Sequence, residues 1–247
     1  MNNLLIDIKS KTYPSAGRVK KVCAIENLRF SPVRGEFLCL LGPSGCGKTT
    51  LLHILAGLDK DFQGNIEWSN HKQPDPRIGY VFQQPRLLPW RTVRENIELV
   101  LPPNHSSESI QTLLTILGLD ETQYTFPQRL SLGMCRRVAI ARAFAIEPDL
   151  LLMDEPFVSL DAPTARRARN LLIDVWSQRP HTVIFVTHDL REAIMLADRL
   201  LFLSASPSTV ISDIQVSIPR NERKDEERVE QFRNQLLHAH PETADLL

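Results

Sequence analysis

The chain has 247 residues, enough for one or two domains and for a core that folds without disulfides or bound metal. Lys and Arg total 29 and Asp and Glu also total 29, so the net charge is zero, which argues against a general nucleic-acid-binding protein. No apolar run approaches the roughly 18 residues of a membrane-spanning helix, and the N-terminus lacks a signal-peptide pattern. The 4 cysteines form no CxxC pair, so we expect a cytosolic protein with free thiols and no zinc.

The first third of the chain is rich in predicted strands. Strand-like segments cover Leu4–Ile8, Val19–Phe30 and Glu36–Leu41, with turn residues between them. The last segment runs into a glycine loop, Gly42–Thr50, and the apolar spacing after that loop predicts a helix ending near Gly57. The predicted order is therefore strand, glycine loop, helix.

Residues 90–147 have a different pattern, which predicts three helices with no strand between them. A capping box at Thr92 opens the first helix, and Ser107–Leu117 form the second. Ser131 caps the third, which runs through Ile146. We interpret this region as an α-helical insertion in an α/β chain.

Strand and helix patterns then alternate toward the C-terminus. The predicted strands are Leu150–Met153, Thr182–Thr187 and short strands within Leu200–Ile218, and the predicted helices are Pro163–Ser177, Leu190–Ala197 and an amphipathic helix in 220–238. Such alternation is typical of a mostly parallel sheet with crossover helices.

The glycine loop matches the pattern G-x-x-x-x-G-K-[ST] at Gly42–Thr49. Its glycines let backbone N–H groups face phosphate oxygens, and the following helix N-terminus adds its dipole. In such a loop Lys48 reaches the β- and γ-phosphates and the Thr49 hydroxyl binds Mg²⁺. The alternative is a glycine-rich turn with a chance lysine, which the flanking strand and helix disfavour.

Two carboxylates follow the apolar strand that starts at Leu150. Asp154 can hold Mg²⁺, directly or through water, and Glu155 can position a water for in-line attack on the γ-phosphate. The alternative is an acidic pair at a strand edge. A phosphate loop in the same chain favours the catalytic interpretation.

A third motif lies at the start of the helix that Ser131 caps. The sequence there is Leu130-Ser131-Leu132-Gly133-Met134, which offers a hydroxyl and free N–H groups to an anion. By itself this pattern is typical of a simple helix cap.

Six motifs follow one another along the chain. They are the phosphate loop, Tyr80-Val81-Phe82-Gln83, LSLGM at 130–134, LLLMDEP at 150–156, Ser159-Leu160-Asp161 and Thr187-His188-Asp189. In this order and spacing, from about Leu4 to Leu203, the chain resembles the nucleotide-binding subunit of ABC transporters.

The resemblance implies an α/β fold: a P-loop NTPase core with a mostly parallel sheet, an N-terminal antiparallel β subdomain and an inserted α-helical subdomain. It implies a single ABC ATPase domain over 1–247. The expected parts are a catalytic core with its β subdomain at 1–83 and 148–218, a helical subdomain at about 84–147, and a helical tail at about 219–247.

The resemblance also implies roles for individual residues in binding and hydrolysing ATP. Glu155, His188 and Gln83 would be catalytic, and Thr49, Asp154 and Gln83 would hold Mg²⁺. The residues expected to bind the phosphates of ATP are Gly42, Pro43, Ser44, Gly45, Cys46, Gly47, Lys48, Thr49 and Thr50.

Other implied roles concern the adenine and a second copy of the chain. Tyr13 would stack on adenine, the alternative being an ordinary aromatic at a strand end. Ser131 and Gly133 would contact the γ-phosphate held by the second copy, and Asp161 would lie at the dimer interface. The family's usual Leu-Ser-Gly-Gly-Gln is altered at Leu132 and Met134, but Ser131 and Gly133 remain. We therefore expect ATP hydrolysis to persist.

The leading interpretation is the motor of a bacterial ABC importer on the cytoplasmic face of the inner membrane. Its partners would be permease subunits and, indirectly, a periplasmic or surface solute-binding protein, with no nucleic acid. The segments Gln83–Val93 and Asp154–Thr164 most resemble the nitrate/sulfonate/taurine importer group. The residues predicted to line a permease-docking groove are Leu87, Leu88, Pro89, Trp90 and Val93, the alternative being packing inside the helical subdomain.

Two other classes of P-loop protein remain as alternatives. A soluble ABC ATPase of DNA repair or translation usually has tandem cassettes, a long coiled-coil insertion or a basic surface, none of which this sequence predicts. A P-loop kinase for small molecules would leave the LSLGM and His188 motifs without a role.

Overall fold

A computed structural model describes residues 4–15, 21–68, 76–102, 107–158 and 160–246. The strands are β1 (Leu4–Tyr13), β2 (Val22–Phe30), β3 (Phe37–Leu41), β4 (Gln63–Trp68), β5 (Ile78–Val81), β6 (Leu150–Asp154), β7 (Thr182–Val186), β8 (Arg199–Leu203) and β9 (Val210–Gln215). The helices are α1 (Lys48–Leu55), α2 (Val93–Glu98), α3 (Ser107–Ile116), α4 (Leu132–Ala145), α5 (Ala162–Gln178), α6 (Leu190–Leu196) and α7 (Glu226–Ala239).

The chain divides into two compact units, and the first comprises residues 1–74 and 182–247. One of its sheets is antiparallel, in the order β2-β1-β4, with Ile6 opposite both Phe30 and Ile66. In the other, β3 lies between β7 and β8 and is parallel to both, and β9 runs antiparallel to β8. Strand β3 is buried along its whole length, which explains its uninterrupted apolar sequence.

The second unit comprises residues 75–181. Strands β5 and β6 pair in parallel, with Val81 opposite Met153, and α4 packs against β5. At Gly79 an added Cβ would lie 2.6 Å from the Ala143 carbonyl oxygen, so this close approach of helix and strand requires glycine. Helices α2, α3 and α4 lie between β5 and β6 in the chain, and no strand separates them in the described residues.

These units confirm the predicted fold class: parallel strands with helices, an N-terminal antiparallel sheet and an inserted helical region. The capping box is present, because the Thr92 hydroxyl accepts from the Glu95 amide and the Glu95 carboxylate accepts from the Thr92 amide. The capping-box pattern predicts a helix through Leu101, but α2 ends three residues earlier, at Glu98. The finer division into core, helical subdomain and tail stays a prediction.

Two strands were not predicted. Strand β4 has mostly exposed or half-buried residues and begins Gln-Gly-Asn, so its sequence has little hydrophobic alternation. Strand β5 has only four residues. Each forms because a neighbouring strand supplies its hydrogen bonds, β1 for β4 and β6 for β5.

Helix α7, predicted from charge and spacing, packs against α6, where Arg191 forms an ion pair with Glu230. Among the helices that the structure describes, none combines the length and the apolar character needed to cross a bilayer.

Candidate functional site

The glycine loop joins β3 to α1 in the first unit. Gly45 and Gly47 have φ of +78° and +109°, a left-handed conformation that favours glycine. An added Cβ on Gly47 would also lie 3.0 Å from the Ala24 carbonyl oxygen. Backbone conformation and close packing therefore both require glycine at this position.

Lys48 lies inside the loop and is 7% exposed. Its Nζ donates to the carbonyl oxygens of Gly42 at 2.6 Å and Pro43 at 2.9 Å. The neighbouring Thr49 side chain is exposed. An ammonium group held within a loop of backbone N–H groups, at the start of a helix, suits the phosphates of a nucleotide.

Tyr13, the predicted adenine-stacking residue, lies beside this loop. Its hydroxyl is 3.1 Å from Thr50 Oγ1, and its ring is partly exposed. The Lys11 Nζ lies 4.7 Å from the ring centroid. Lys11 is buried and forms an ion pair with Asp59. The sequence did not single out Lys11, because a lysine within a strand gives no signal of an ion pair formed across the fold.

His188 lies at the same edge of its sheet as the phosphate loop. It follows β7, which is parallel to β3, so the carboxyl ends of both strands meet at one edge. The buried Thr187 hydroxyl donates to Glu192 at 2.7 Å and accepts from the Asp189 amide at 3.1 Å. Glu192 was missed, although a carboxylate three residues after Asp189, at the start of the predicted helix, was a usable signal.

The two predicted carboxylates, Asp154 and Glu155, belong to the second unit, and so does Gln83. Asp154 ends β6, and Gln83 follows β5. Because these strands are parallel neighbours, the residues after them share one edge. The Gln83 amide Nε2 donates to Glu155 Oε2 at 3.4 Å. Glu155 has φ of +42°, a strained conformation for a residue other than glycine, and such strain is frequent at functional sites.

Ser131 caps α4 as predicted, since its Oγ accepts from the Met134 amide at 3.2 Å. Gly133 lies against α5, where an added Cβ would be 2.8 Å from Thr164 Cγ2. Asp161 caps α5 and accepts from the Thr164 hydroxyl at 2.7 Å and the Thr164 amide at 2.9 Å. These two hydrogen bonds lower the pKa of the Asp161 carboxyl, and the one from the Thr164 hydroxyl has the larger effect. The LSLGM segment at 130–134 and Asp161 are therefore neighbours.

Two arginines of α4 were also missed. Arg142 donates to the carbonyl oxygens of Pro85 at 3.0 Å and Arg86 at 3.1 Å, in the loop after Gln83. Arg136 donates to the carbonyl oxygen of Pro156 and is 5% exposed. The available signal for Arg136 was its place on the apolar face of the helix, four residues before Ile140.

The predicted docking groove requires one correction. Val93 is fully buried and faces the core from the first turn of α2, so it lines no open surface. Leu87 and Leu88 are half-buried, Pro89 is exposed, and Trp90 is 69% exposed. Of the five residues, Pro89 and Trp90 offer the accessible surface.

Comparison with known proteins assigns the family. Residues 25–158 match the ABC transporter family. The aliphatic sulfonates import ATP-binding protein SsuB of Bacillus subtilis (strain 168) is 40% identical, over 98% of this chain and 95% of the relative. The SsuB protein of Bacillus cereus (strain ATCC 10987 / NRS 248) is 39% identical, over 94% of this chain and 93% of the relative.

Solved structures agree with this assignment. The ATP-binding cassette MJ0796 bound to ADP and Pi, described as a dimeric post-hydrolysis state, has a TM-score of 0.73 at 30% identity, covering 88% of this chain and 100% of that one. The predicted resemblance to the sulfonate importer group is confirmed, and the DNA-repair alternative finds no support. The chain thus belongs to the ABC transporter family, as an ATP-binding cassette with ATPase activity.

Proposed function

We propose that this chain is the motor subunit of a bacterial importer for aliphatic sulfonates or chemically similar small anions. The observation that carries the proposal is that relatives matching more than 90% of the chain are named import ATP-binding proteins for aliphatic sulfonates. In this proposal the chain is peripheral, on the cytoplasmic face of the inner membrane. Permease subunits carry the solute, and a solute-binding protein delivers it.

The proposed nucleotide chemistry assigns each group a role. Lys48 and the loop N–H groups hold the ATP phosphates, and Tyr13 stacks on adenine. Thr49, Asp154 and Gln83 offer hydroxyl, carboxylate and amide oxygens, which are hard ligands suited to Mg²⁺. When bound, Mg²⁺ neutralises negative charge on the phosphate oxygens.

Water activation is assigned to Glu155, supported by its hydrogen bond from Gln83. A carboxylate is a suitable acceptor for the proton of the attacking water. His188 is assigned to hold Glu155 and this water in place.

We also propose that two copies bind two ATP molecules head to tail. Ser131 and Gly133 of one copy contact the γ-phosphate held by the other, and Asp161 lies at the interface. The dimeric description of the MJ0796 cassette supports this assembly. The free N–H groups in the first turn of α4, next to the Ser131 cap, suit an anion.

The unusual Leu132 is expected to matter little for turnover. Its side chain is 47% exposed at the start of α4, and the N–H groups of the first turn are available whatever that side chain is. Leucine favours a helix over glycine by about 0.8–1 kcal/mol, so Leu132→Gly loosens this turn slightly. We expect it to change the ATP turnover rate by less than about threefold, roughly 0.65 kcal/mol of barrier. Ser131→Arg, which blocks the partner's phosphate, should abolish turnover in the same assay, and a tenfold gain in Leu132→Gly would contradict the prediction.

The proposed permease-docking surface keeps Pro89 and Trp90 of the predicted groove and adds two exposed aromatic residues, Tyr124 and Phe126. All three aromatic side chains are exposed, by 69%, 72% and 44%. They lie on two segments joined by hydrogen bonds, including one from Gln128 Nε2 to the Pro89 carbonyl oxygen at 2.8 Å. Exposed aromatic groups clustered in this way are typical of protein interfaces.

A carboxylate at Trp90 should therefore uncouple transport from ATP hydrolysis. In Trp90→Glu we expect ATPase activity of the isolated chain to stay within twofold of wild type and solute uptake to fall at least about tenfold, the loss typical of a hot-spot residue. Leu58→Glu is the matched control, since Leu58 is also exposed, at 62%, but lies in the first unit. Normal uptake by Trp90→Glu would rule out docking at this surface.

The importer function is tested in membrane vesicles that contain the chain and its permease subunits. We expect uptake of a labelled alkanesulfonate that requires ATP and the solute-binding protein. Uptake of nitrate with no uptake of sulfonate would overturn the solute assignment alone. ATP hydrolysis without binding to any permease would overturn the importer function.

A further inference from the structure

Arg136 is a buried cation next to the loop that carries Glu155. It lies on α4 and is 5% exposed, and its guanidinium donates to the carbonyl oxygen of Pro156. Within the described part of the second unit no carboxylate pairs with it, and its Nε has no hydrogen-bond partner. Burial disfavours the charged guanidinium and lowers its pKa. A buried charge without an ion pair is costly, so the contact with Pro156 offsets only part of the cost of burying this guanidinium.

The backbone is held in place on both sides of Glu155. On one side, β6 is held by its pairing with β5 up to Met153. On the other side, Pro156 is buried, and the Arg136 guanidinium holds its carbonyl oxygen. Glu155 lies between these two fixed points with φ of +42°, a conformation that persists only when its surroundings impose it. Proline has no backbone N–H, so its carbonyl is the one hydrogen-bonding group of its backbone.

We propose that Arg136 is a positioning residue for Glu155: its guanidinium fixes the Pro156 carbonyl and so keeps the Glu155 carboxylate beside the Gln83 amide. Arg136 does not touch nucleotide or water in this account and acts only through the Glu155 turn. The proposal rests on the catalytic role proposed above for Glu155. Ser131 caps the same helix, five residues before Arg136, so the LSLGM segment at 130–134 and the Glu155 turn are both attached to α4.

Arg136→Met tests the proposal. Methionine keeps an unbranched stem and removes a buried charge, so the variant is expected to fold. We expect kcat for ATP to fall at least about tenfold, about 1.4 kcal/mol of barrier, with KM for ATP within twofold of wild type. With ATP binding intact and hydrolysis slow, the variant should accumulate an ATP-dependent dimer on a sizing column, as expected for Glu155→Gln. Arg136→Lys keeps a donor and should restore kcat to within threefold of wild type.

Arg137→Met is the matched control. Arg137 is the next residue of α4, and its guanidinium donates to the carbonyl oxygens of Leu117 and Gly118, at 2.7 and 3.3 Å, at the end of α3. Unfolding temperatures of both Met variants are measured, and Arg137→Met should keep wild-type kcat and form no stalled dimer. An equal loss in Arg137→Met, a rise in KM that accompanies the loss of kcat, or no rescue by Arg136→Lys would overturn the proposal.

The experiments distinguish an error in the catalytic role of Glu155 from an error in the positioning role of Arg136. Wild-type turnover in Glu155→Gln would overturn the catalytic role of Glu155. A stalled Glu155→Gln together with normal turnover in Arg136→Met would overturn the positioning role alone.

Discussion

The Glu155→Gln variant is expected to bind ATP with wild-type affinity and to hydrolyse it about 10²–10⁴-fold more slowly, the range that a general base contributes. Glutamine has nearly the same shape as glutamate but does not take a proton from the attacking water. Ground-state contacts to the phosphates are unchanged, so the loss lies in kcat. The chain should then elute as an ATP-dependent dimer, because the nucleotide that joins the two copies is not consumed.

The matched control for this prediction is Glu147→Gln. Glu147 is also in the second unit and also has a positive φ, +48°, but its carboxylate is exposed and pairs with Arg179. We expect wild-type turnover and no stalled dimer. Turnover of Glu155→Gln at the wild-type rate would show that another group activates the water.

The Lys48→Ala variant is expected to lose most ATP binding, whereas His188→Ala keeps binding and loses most turnover. The Lys48 ammonium lies within the loop and provides a positive charge to the phosphates in the ground state. His188, at the exposed edge after β7, is proposed to organise Glu155 and the water, which acts mainly in the transition state.

Titration of nucleotide binding beside turnover rates separates these two effects. Lys60→Ala and His238→Ala are suitable controls, because both side chains are exposed and lie outside the proposed site. Equal loss of binding in Lys48→Ala and His188→Ala would contradict the division of roles between the two residues.

Local patterns in the sequence were sufficient to predict several structural features of this protein. The glycine loop between a strand and a helix, the capping box at Thr92 and the Ser131 cap were all predicted, and each is present. These features depend on residues within a few positions of one another, which orient backbone N–H groups locally. The order of the motifs then indicated the family, which the comparisons confirm.

Other features arose only in the tertiary structure, because they depend on contacts between distant parts of the chain. Strand β4 forms through pairing with β1, although its own sequence hardly predicts a strand. Val93 belongs to an apolar stretch for which the sequence predicts a surface groove, but packing of α2 buries it. Arg136 reaches a carbonyl 20 residues away, beside a glutamate whose φ of +42° no sequence pattern indicates. The sequence thus determined which groups could contact a phosphate. Tertiary packing determined how the Glu155 turn is held, because the partners of a side chain depend on which distant residues the fold places beside it.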